Sequence, residues 1–195
     1  MPTSQDLSGI IQAYAQGYFP MADPQTGALA WYTSRQRAIM PLDEGFYIPQ
    51  SLRRVLNQGR FTTAINQDFA GVVAGCADRE TTWISPELQG LYQALHNAGV
   101  AHSFETWQGG TLSGGVLGLA LGGVFIGESM FHTVTEASKV ALVYLVEHLR
   151  QRGYQLFDAQ ILNPHLARFG AYTLPEAAYQ QRLRQALALD CQFVD

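Results

Sequence analysis

The chain has 195 residues, of which 47% are hydrophobic, enough for one packed domain with a small appendage and unlike a disordered or repetitive composition. No run reaches the ~18 apolar residues of a membrane span, and the first residues lack the basic-then-apolar pattern of a secretory signal, so a cytoplasmic protein without membrane attachment is expected. With 12 basic against 16 acidic residues the formal charge is −4, which argues against non-specific nucleic-acid binding but leaves room for a local basic patch.

Leu7, Ile10, Ile11 and Tyr14 recur at helical spacing and predict a helix over 5–16, ended by Gly17 and closed off by Pro20. Residues 18–34 are aromatic and turn-rich. Tyr18, Phe19, Trp31 and Tyr32 either line a ligand cleft or glue this piece to the main body. The expected division is a small N-terminal domain over 1–38 and a main domain over 39–195. Short extended pieces are predicted over 37–41 and 44–48. SLRRVLNQ reads as a helix capped by Ser51, and RFTTAIN as a strand. A helix over 68–77 carries Phe69, Val72, Val73 and Cys76 on its apolar side, and the loop DRETTWIS carries one conspicuous ring, Trp83. Ser85 is placed to cap the helix that begins PELQG, with Pro86 in its first turn.

VAHSFETW, TLSGGVLGLAL and VFIGESMF are separated by glycine turns and predict an antiparallel meander, with the third strand ending near Glu128. Gly114, Gly115, Gly118 and Gly127 suit bulges or places where another backbone comes close. Thr133-x-x-Glu136 has the form of a capping box, and Leu142, Leu145, Val146 and Leu149 face inward from the helix it would open. Gly153 ends that helix and YQLFDAQ follows as a strand. A helix between two strands is a crossover, so YQLFDAQ is expected to pair in parallel with an earlier strand. NPHLARFG then reads as a short helix, AYTLP as an edge strand and 176–189 as a final helix. The fold class is α+β: a mostly antiparallel sheet flanked by helices.

The chain has no G-x-G-x-x-G, Walker or G-x-S-x-G sequence, and its five histidines lack ligand spacing, so neither a nucleotide cofactor, a metal site nor a serine nucleophile finds support. Cys76 and Cys191 give no disulfide framework. Two carboxylates stand out, Glu128 and Asp158, at the expected strand ends beside apolar residues that would shift a carboxylate's pKa. Gln160, two residues beyond Asp158, falls on the same side of a strand. This group is either a functional cluster or a buried network tying the crossover helix to the sheet. Arg53, Arg54 and Arg60 form the densest basic patch and Arg150 with Arg152 a second; ordinary solvated helix surface is the alternative for both.

Several stretches, taken in order, resemble one family. They are AYAQGYFPM (13–21), WYTSRQRAI (31–39), SLRRVL (51–56), GCADRETTWI (75–84), LHNAGVAHSFETW (95–107), GGVLG (114–118), GESMF (127–131), ASKVAL (137–142) and DAQILNPHLARFGA (158–171). Together they resemble the leucyl/phenylalanyl-tRNA–protein transferases. The resemblance implies a small N-terminal domain and an acetyltransferase-like (GNAT-like) main domain. It implies transfer of Leu, Phe or, less readily, Met from aminoacyl-tRNA to proteins that begin with Arg or Lys, which marks them for N-degron degradation. Carried onto this sequence, the catalytic positions fall on Asp158 and Gln160, with Glu128 as a substrate-binding carboxylate. The aminoacyl pocket falls on Val116, Phe125, Leu142 and Leu145, with Trp83 nearby, and the tRNA-facing surface on Arg53, Arg54 and Arg60. A monomer without cofactor is expected, as is slowed transfer by Asp158→Asn with little change in folding. Three departures thin the expected electropositive face: a shorter N-terminus, Pro49-Gln50-Ser51 in place of the family's usual Ser-Arg-Ser, and Glu136 in place of its usual Asn.

Overall fold

A computed structural model describes residues 4–23 and 26–195. Helix α1 (Ser4–Ala15) leads into a hairpin of β1 (Phe19–Ala22) and β2 (Leu29–Tyr32). The main chain then runs through β3 (Gln36–Met40), α2 (Gln50–Asn57), β4 (Thr62–Ile65), α3 (Phe69–Ala77) and α4 (Pro86–Asn97). The meander follows as β5 (Ala101–Gln108), β6 (Thr111–Leu121) and β7 (Val124–His132), and then α5 (Ala137–Gln151), β8 (Leu156–Gln160), α6 (Pro164–Ala167), β9 (Tyr172–Pro175) and α7 (Glu176–Leu187). Seven strands form one sheet in the order β4-β5-β6-β7-β8-β3-β9, in which only β7 and β8 pair in parallel, joined by the α5 crossover.

Alternate residues of the central strands feed two cores, one on each face of the sheet. Leu117, Leu119, Val124, Ile126 and Leu156 pack with Tyr14, Val72, Leu88, Tyr92, Tyr179 and Leu183 from α1, α3, α4 and α7. Val116, Phe125 and Phe157 pack on the other face with Leu142, Leu145, Val146 and Leu149 of α5 and with Leu52 of α2. Because helices cover both faces, β5 is buried on both sides along most of its length despite its polar alternation. The aromatic N-terminal piece divides: Tyr14 and Phe19 are buried in the first core, while Tyr18, Trp31 and Tyr32 are exposed.

Four local expectations fail. Residues 44–48 form no strand: the Asp43 carboxylate accepts the Gly45 amide N–H at 2.9 Å, turning the chain, and Phe46 stacks on Phe169 instead. Helix α2 starts at Gln50 behind Pro49, with no side-chain cap from Ser51, because proline's fixed φ already sets the entry. The capping box does not form, since the Thr133 hydroxyl donates to the Ser113 carbonyl at 3.3 Å and Glu136 sits at φ 75°, its carboxylate on Lys139 at 2.7 Å. Finally, β7 does not end at Glu128 but runs on to His132, and Asp158 lies within β8 rather than at its end. Ser85, by contrast, caps α4 by accepting the Leu88 amide N–H at 3.3 Å.

The parallel pairing of β7 with β8 stops at Ile126 opposite Asp158, although both strands continue. Gly127 lies where the two separate, and a Cβ there would come within 2.9 Å of the Phe157 ring. Gly127, Glu128 and Gln160, on either side of this divergence, all line one cleft.

Candidate active site

The cleft has a volume of about 800 Å³. Its walls come from both faces of the sheet, with Trp83 packed against one core and Val116 and Leu142 belonging to the other. Glu128, Gln160 and Trp83 line it together with Val116, Leu142, Met40 and Phe157. Of the residues expected at the site, Trp83, Val116, Leu142, Glu128 and Gln160 therefore meet in one cavity. Phe125 and Leu145 are fully buried in the α5 core and do not line it. Asp158 is also fully buried and reaches the cleft only through Gln160. Arg53, Arg54 and Arg60 are exposed on and beyond α2 and do not line it either.

Glu128 is held at both oxygens. Oε2 accepts the Tyr92 hydroxyl at 2.8 Å, and Oε1 accepts Gln160 Nε2 at 3.1 Å. Burial pushes its pKa up from 4.5 to about 7, while the hydrogen bonds it accepts pull the other way. Burial, and then the Glu128 charge, push the Tyr92 phenol well up, so it remains an O–H donor at neutral pH. The Tyr14 hydroxyl is buried in the same cluster with no hydrogen-bond partner among the described residues.

Gln160 ends β8 with φ 58°, a left-handed conformation that costs a residue with a Cβ about 1–2 kcal/mol. Asp158 holds it there: Oδ1 accepts the Gln160 backbone N–H at 2.9 Å. With its Nε2 committed to Glu128, Gln160 has its carbonyl oxygen left to face the cavity.

Asp158 is itself clamped. Arg37 donates to it through Nε at 2.8 Å and Nη2 at 2.6 Å, and the Tyr179 hydroxyl donates at 2.7 Å. Arg37 is 1% exposed, sends Nη1 to the Gly17 carbonyl at 2.9 Å, and lies between the rings of Phe19 and Tyr179 at 4.7 and 4.8 Å. Burial works against its charge, but the bonds and charge of Asp158 prevail and leave its pKa raised. Sequence reasoning missed Arg37 and the three tyrosines. An arginine in a short strand reads as a solvated face, and tyrosines on apolar stripes read as core. The available signal was alternation in β3, where Arg37 and Ile39 share a face.

The cleft also carries Ser138, whose hydroxyl is 3.4 Å from His132 Nδ1, a loose approach with no carboxylate bonded to that ring among the described residues. Burial pushes the Cys76 thiol up to about 12, so it is not a thiolate at neutral pH. The arrangement is built to hold an amide side chain in a fixed orientation beside an apolar slot. It can position an amine and a carbonyl for acyl transfer.

A family model described as leucyl/phenylalanyl-tRNA protein transferase matches residues 39–184, and one described as the N-terminal domain of the same transferase matches residues 6–35. The chain is 60% identical over 189 residues to the leucyl/phenylalanyl-tRNA--protein transferase of Nostoc punctiforme, covering 97% of this chain and 98% of that one. It is 62% identical over 182 residues to the protein of the same description in Trichormus variabilis, with 93% and 95% covered. In Salinibacter ruber the corresponding figures are 47% over 187 residues, with 96% and 82% covered. Among solved structures, the C-terminal domain (DUF2156) of a protein described as a lysylphosphatidylglycerol synthetase from Agrobacterium fabrum superposes with a TM-score of 0.50 at 14% identity, covering 94% of this chain and 78% of that one. That likeness is one of fold alone.

Proposed function

The chain belongs to the leucyl/phenylalanyl-tRNA protein transferase family, which makes it an aminoacyltransferase, and from that premise we propose its substrates and mechanism. It takes Leu or Phe, and Met less readily, from aminoacyl-tRNA and attaches it to the N-terminal α-amine of proteins that begin with Arg or Lys, marking them for the N-degron route. It works as a monomer in the cytoplasm. The observation that carries this reading is the Gln160–Glu128 pair, which fixes a side-chain amide with its carbonyl free at one end of an apolar cleft.

The ester that joins the amino acid to tRNA is already activated. The enzyme's task is to hold its carbonyl carbon beside the acceptor's free amine. Gln160's carbonyl oxygen accepts an N–H of that amine and directs its lone pair at the ester. As the C–N bond forms and the ester C–O bond breaks, the amine's proton passes to the departing ribose oxygen. By accepting that N–H, the Gln160 carbonyl stabilises the positive charge that develops at the amine, and Glu128 and Asp158 hold Gln160 in position through its side chain and its backbone. No covalent acyl-enzyme is needed. Val116 and Leu142, with Phe125 and Leu145 packed behind them, form an apolar slot for the aminoacyl side chain, and Trp83 closes it. Such a slot separates side chains that differ by one methylene by only ~1–3 kcal/mol, so Leu and Phe are favoured over Met modestly and over branched Ile more clearly. Arg53, Arg54 and Arg60 hold the tRNA phosphates.

The test is a transfer assay with charged Leu-tRNA and an Arg-initiated peptide, read by peptide mass. Leucylation at the N-terminus is the expected outcome. Transfer to peptides regardless of their first residue would leave a different acyltransferase, and tight binding of Leu-tRNA without transfer would leave a non-catalytic binder.

A further inference from the structure

An acceptor that begins with Arg or Lys brings a positive charge into the cleft, and something negative has to meet it. Among the described residues only two carboxylates line the cleft, Asp78 and Glu128. Both oxygens of Glu128 are occupied by Tyr92 and Gln160, and only 8% of the residue is exposed. A guanidinium drawn onto Glu128 would displace the amide that has to hold the acceptor's amine. One carboxylate cannot serve both ends of the same residue.

We propose that Asp78 selects the acceptor by receiving the cationic side chain of its N-terminal Arg or Lys. This rests on the acceptor reading above and names the residue responsible for it. Asp78 is the C-cap of α3, where its backbone N–H donates to the Ala74 carbonyl at 3.0 Å. Its carboxylate is exposed at the cleft's edge and has no hydrogen bond or ion pair among the described residues. The neighbouring cation does not neutralise it. Arg79 reaches across to β7 instead, with Nη2 donating to the Met130 carbonyl at 2.8 Å and lying 3.4 Å from the Ser129 hydroxyl. Those bonds tie the loop after α3 to the strand that carries Glu128, which fixes Asp78 relative to Gln160. Gly75, one turn earlier, is pressed against the Phe131 ring and anchors α3 to the same strand.

Two further features point the same way. A negative charge at a helix C-terminus opposes the helix dipole, and the last turn of α3 carries no basic residue, so Asp78 runs against a local rule of helix stability. Trp83, later in the same loop, also lines the cleft and offers a ring to the apolar stem or cationic head of an incoming side chain. A single carboxylate at an open edge takes an ammonium or a guanidinium alike, which fits acceptance of both Lys and Arg.

The experiment compares the full chain with Asp78→Asn, Asp78→Glu and Asp78→Lys, using Leu-tRNA as donor and peptides that begin with Arg, Lys or Glu. Asp78→Asn is expected to raise KM for the Arg and Lys peptides on the order of tenfold, with kcat at saturation and KM for Leu-tRNA within about twofold. Asp78→Glu should recover most of the loss, and Asp78→Lys should favour the Glu peptide over the Arg peptide. The melting temperature of Asp78→Asn should hold or rise, because relieving the dipole conflict cannot unfold α3. An unchanged KM for the Arg peptide in a folded Asp78→Asn variant overturns the proposal. So does a parallel loss with Leu-tRNA, which would place Asp78 on the donor side. If the wild-type protein itself leaves Arg peptides untouched, the acceptor reading fails first and the proposal falls with it.

Discussion

At Gln160 and its two carboxylates, similar chemical groups are given different tasks by their partners. Asp158 faces a guanidinium and a phenol and stays in a fully bonded clamp; Glu128 faces only neutral donors, and burial sets its pKa near 7. The folded state therefore binds Glu128's proton more tightly than the unfolded chain does. Stability should fall as pH rises from about 4.5 to about 7 and stay level for this group above that, a cost of at most roughly 3 kcal/mol. Glu128→Gln removes the titration, so urea midpoints measured at pH 5 and pH 8 should differ less in the variant than in the wild type. Its effect on transfer has a separate cause. The new amide must accept the Tyr92 hydroxyl with its one carbonyl, which turns its NH₂ toward Gln160 and flips the Gln160 amide. The expected loss in kcat is at least ~10²-fold, with no loss of stability at neutral pH. Asp158→Asn should behave differently. It leaves Arg37 as an uncompensated buried charge and should cost about 3–5 kcal/mol, so the expectation from sequence that folding would be little changed does not survive the Arg37 clamp. Denaturant unfolding, with kcat expressed per folded molecule, separates the two effects. A variant as stable as wild type would mean that the clamp is not what holds Gln160.

Among the elements, the most consequential contact is α5 against β6. A Cβ on Gly114 would lie 2.9 Å from the Ala137 Cβ and 3.0 Å from the Ser138 backbone nitrogen, so the helix start can approach the sheet only over a glycine. Leu142, one turn further on, forms part of the cleft wall. Gly114→Ala should push α5 outward, cost about 1–3 kcal/mol in urea unfolding and raise KM for Leu-tRNA more than KM for the peptide. An unaltered donor KM would separate α5's position from the slot. The same contact shows what was legible beforehand. The meander of three strands, the apolar stripe of the helix after it and the crossover into a parallel strand were all readable, because they follow from turn signals and periodicities that packing on two faces reinforces. The capping box was a local pattern overruled by a neighbour in space: Thr133's hydroxyl found a β6 carbonyl first. Glu128 and Gln160 could be placed together from the pairing of two strands. Arg37 could not, since it meets Asp158 across 121 positions and no local rule marks a buried arginine. Asp78 looked like any helix-end residue until the cleft showed which carboxylates were already in use.

Across the whole molecule, the difficulty is that a chain of net charge −4 must hold a polyanion. Long-range attraction cannot supply the affinity, so it has to come from a small patch close to the phosphates, with contacts that position the tRNA without reading its bases. The second basic pair is already committed. Arg150 donates to the Leu42 and Asp43 carbonyls, and Arg152 pairs with Asp195 at 2.7 Å. On α2, Arg53 spends only its Nε, on the Ile48 carbonyl at 3.1 Å, and beyond the helix Arg60 lies 5.4 Å from the Phe61 ring. Each phosphate neutralised contributes roughly 0.7–0.9 to the slope of log affinity against log salt. Arg53→Ala combined with Arg54→Ala should therefore weaken Leu-tRNA and Phe-tRNA by similar factors and flatten the slope by about 1.5, while KM for an Arg-initiated peptide hardly moves. Gln50→Arg tests the converse. It adds a charge at the first residue of α2, where the helix dipole disfavours a cation by about 0.3–1 kcal/mol, yet it should tighten tRNA binding and steepen the slope by nearly one unit. Both variants are read by Kd for a non-hydrolysable Leu-tRNA analogue from ~50 to ~300 mM salt, a range over which each phosphate contact registers separately. If the double alanine variant keeps the wild-type slope, α2 is solvated surface. The tRNA must then displace Arg150 or Arg152 from their present partners, and a matching change in slope on Arg150→Ala would reveal it.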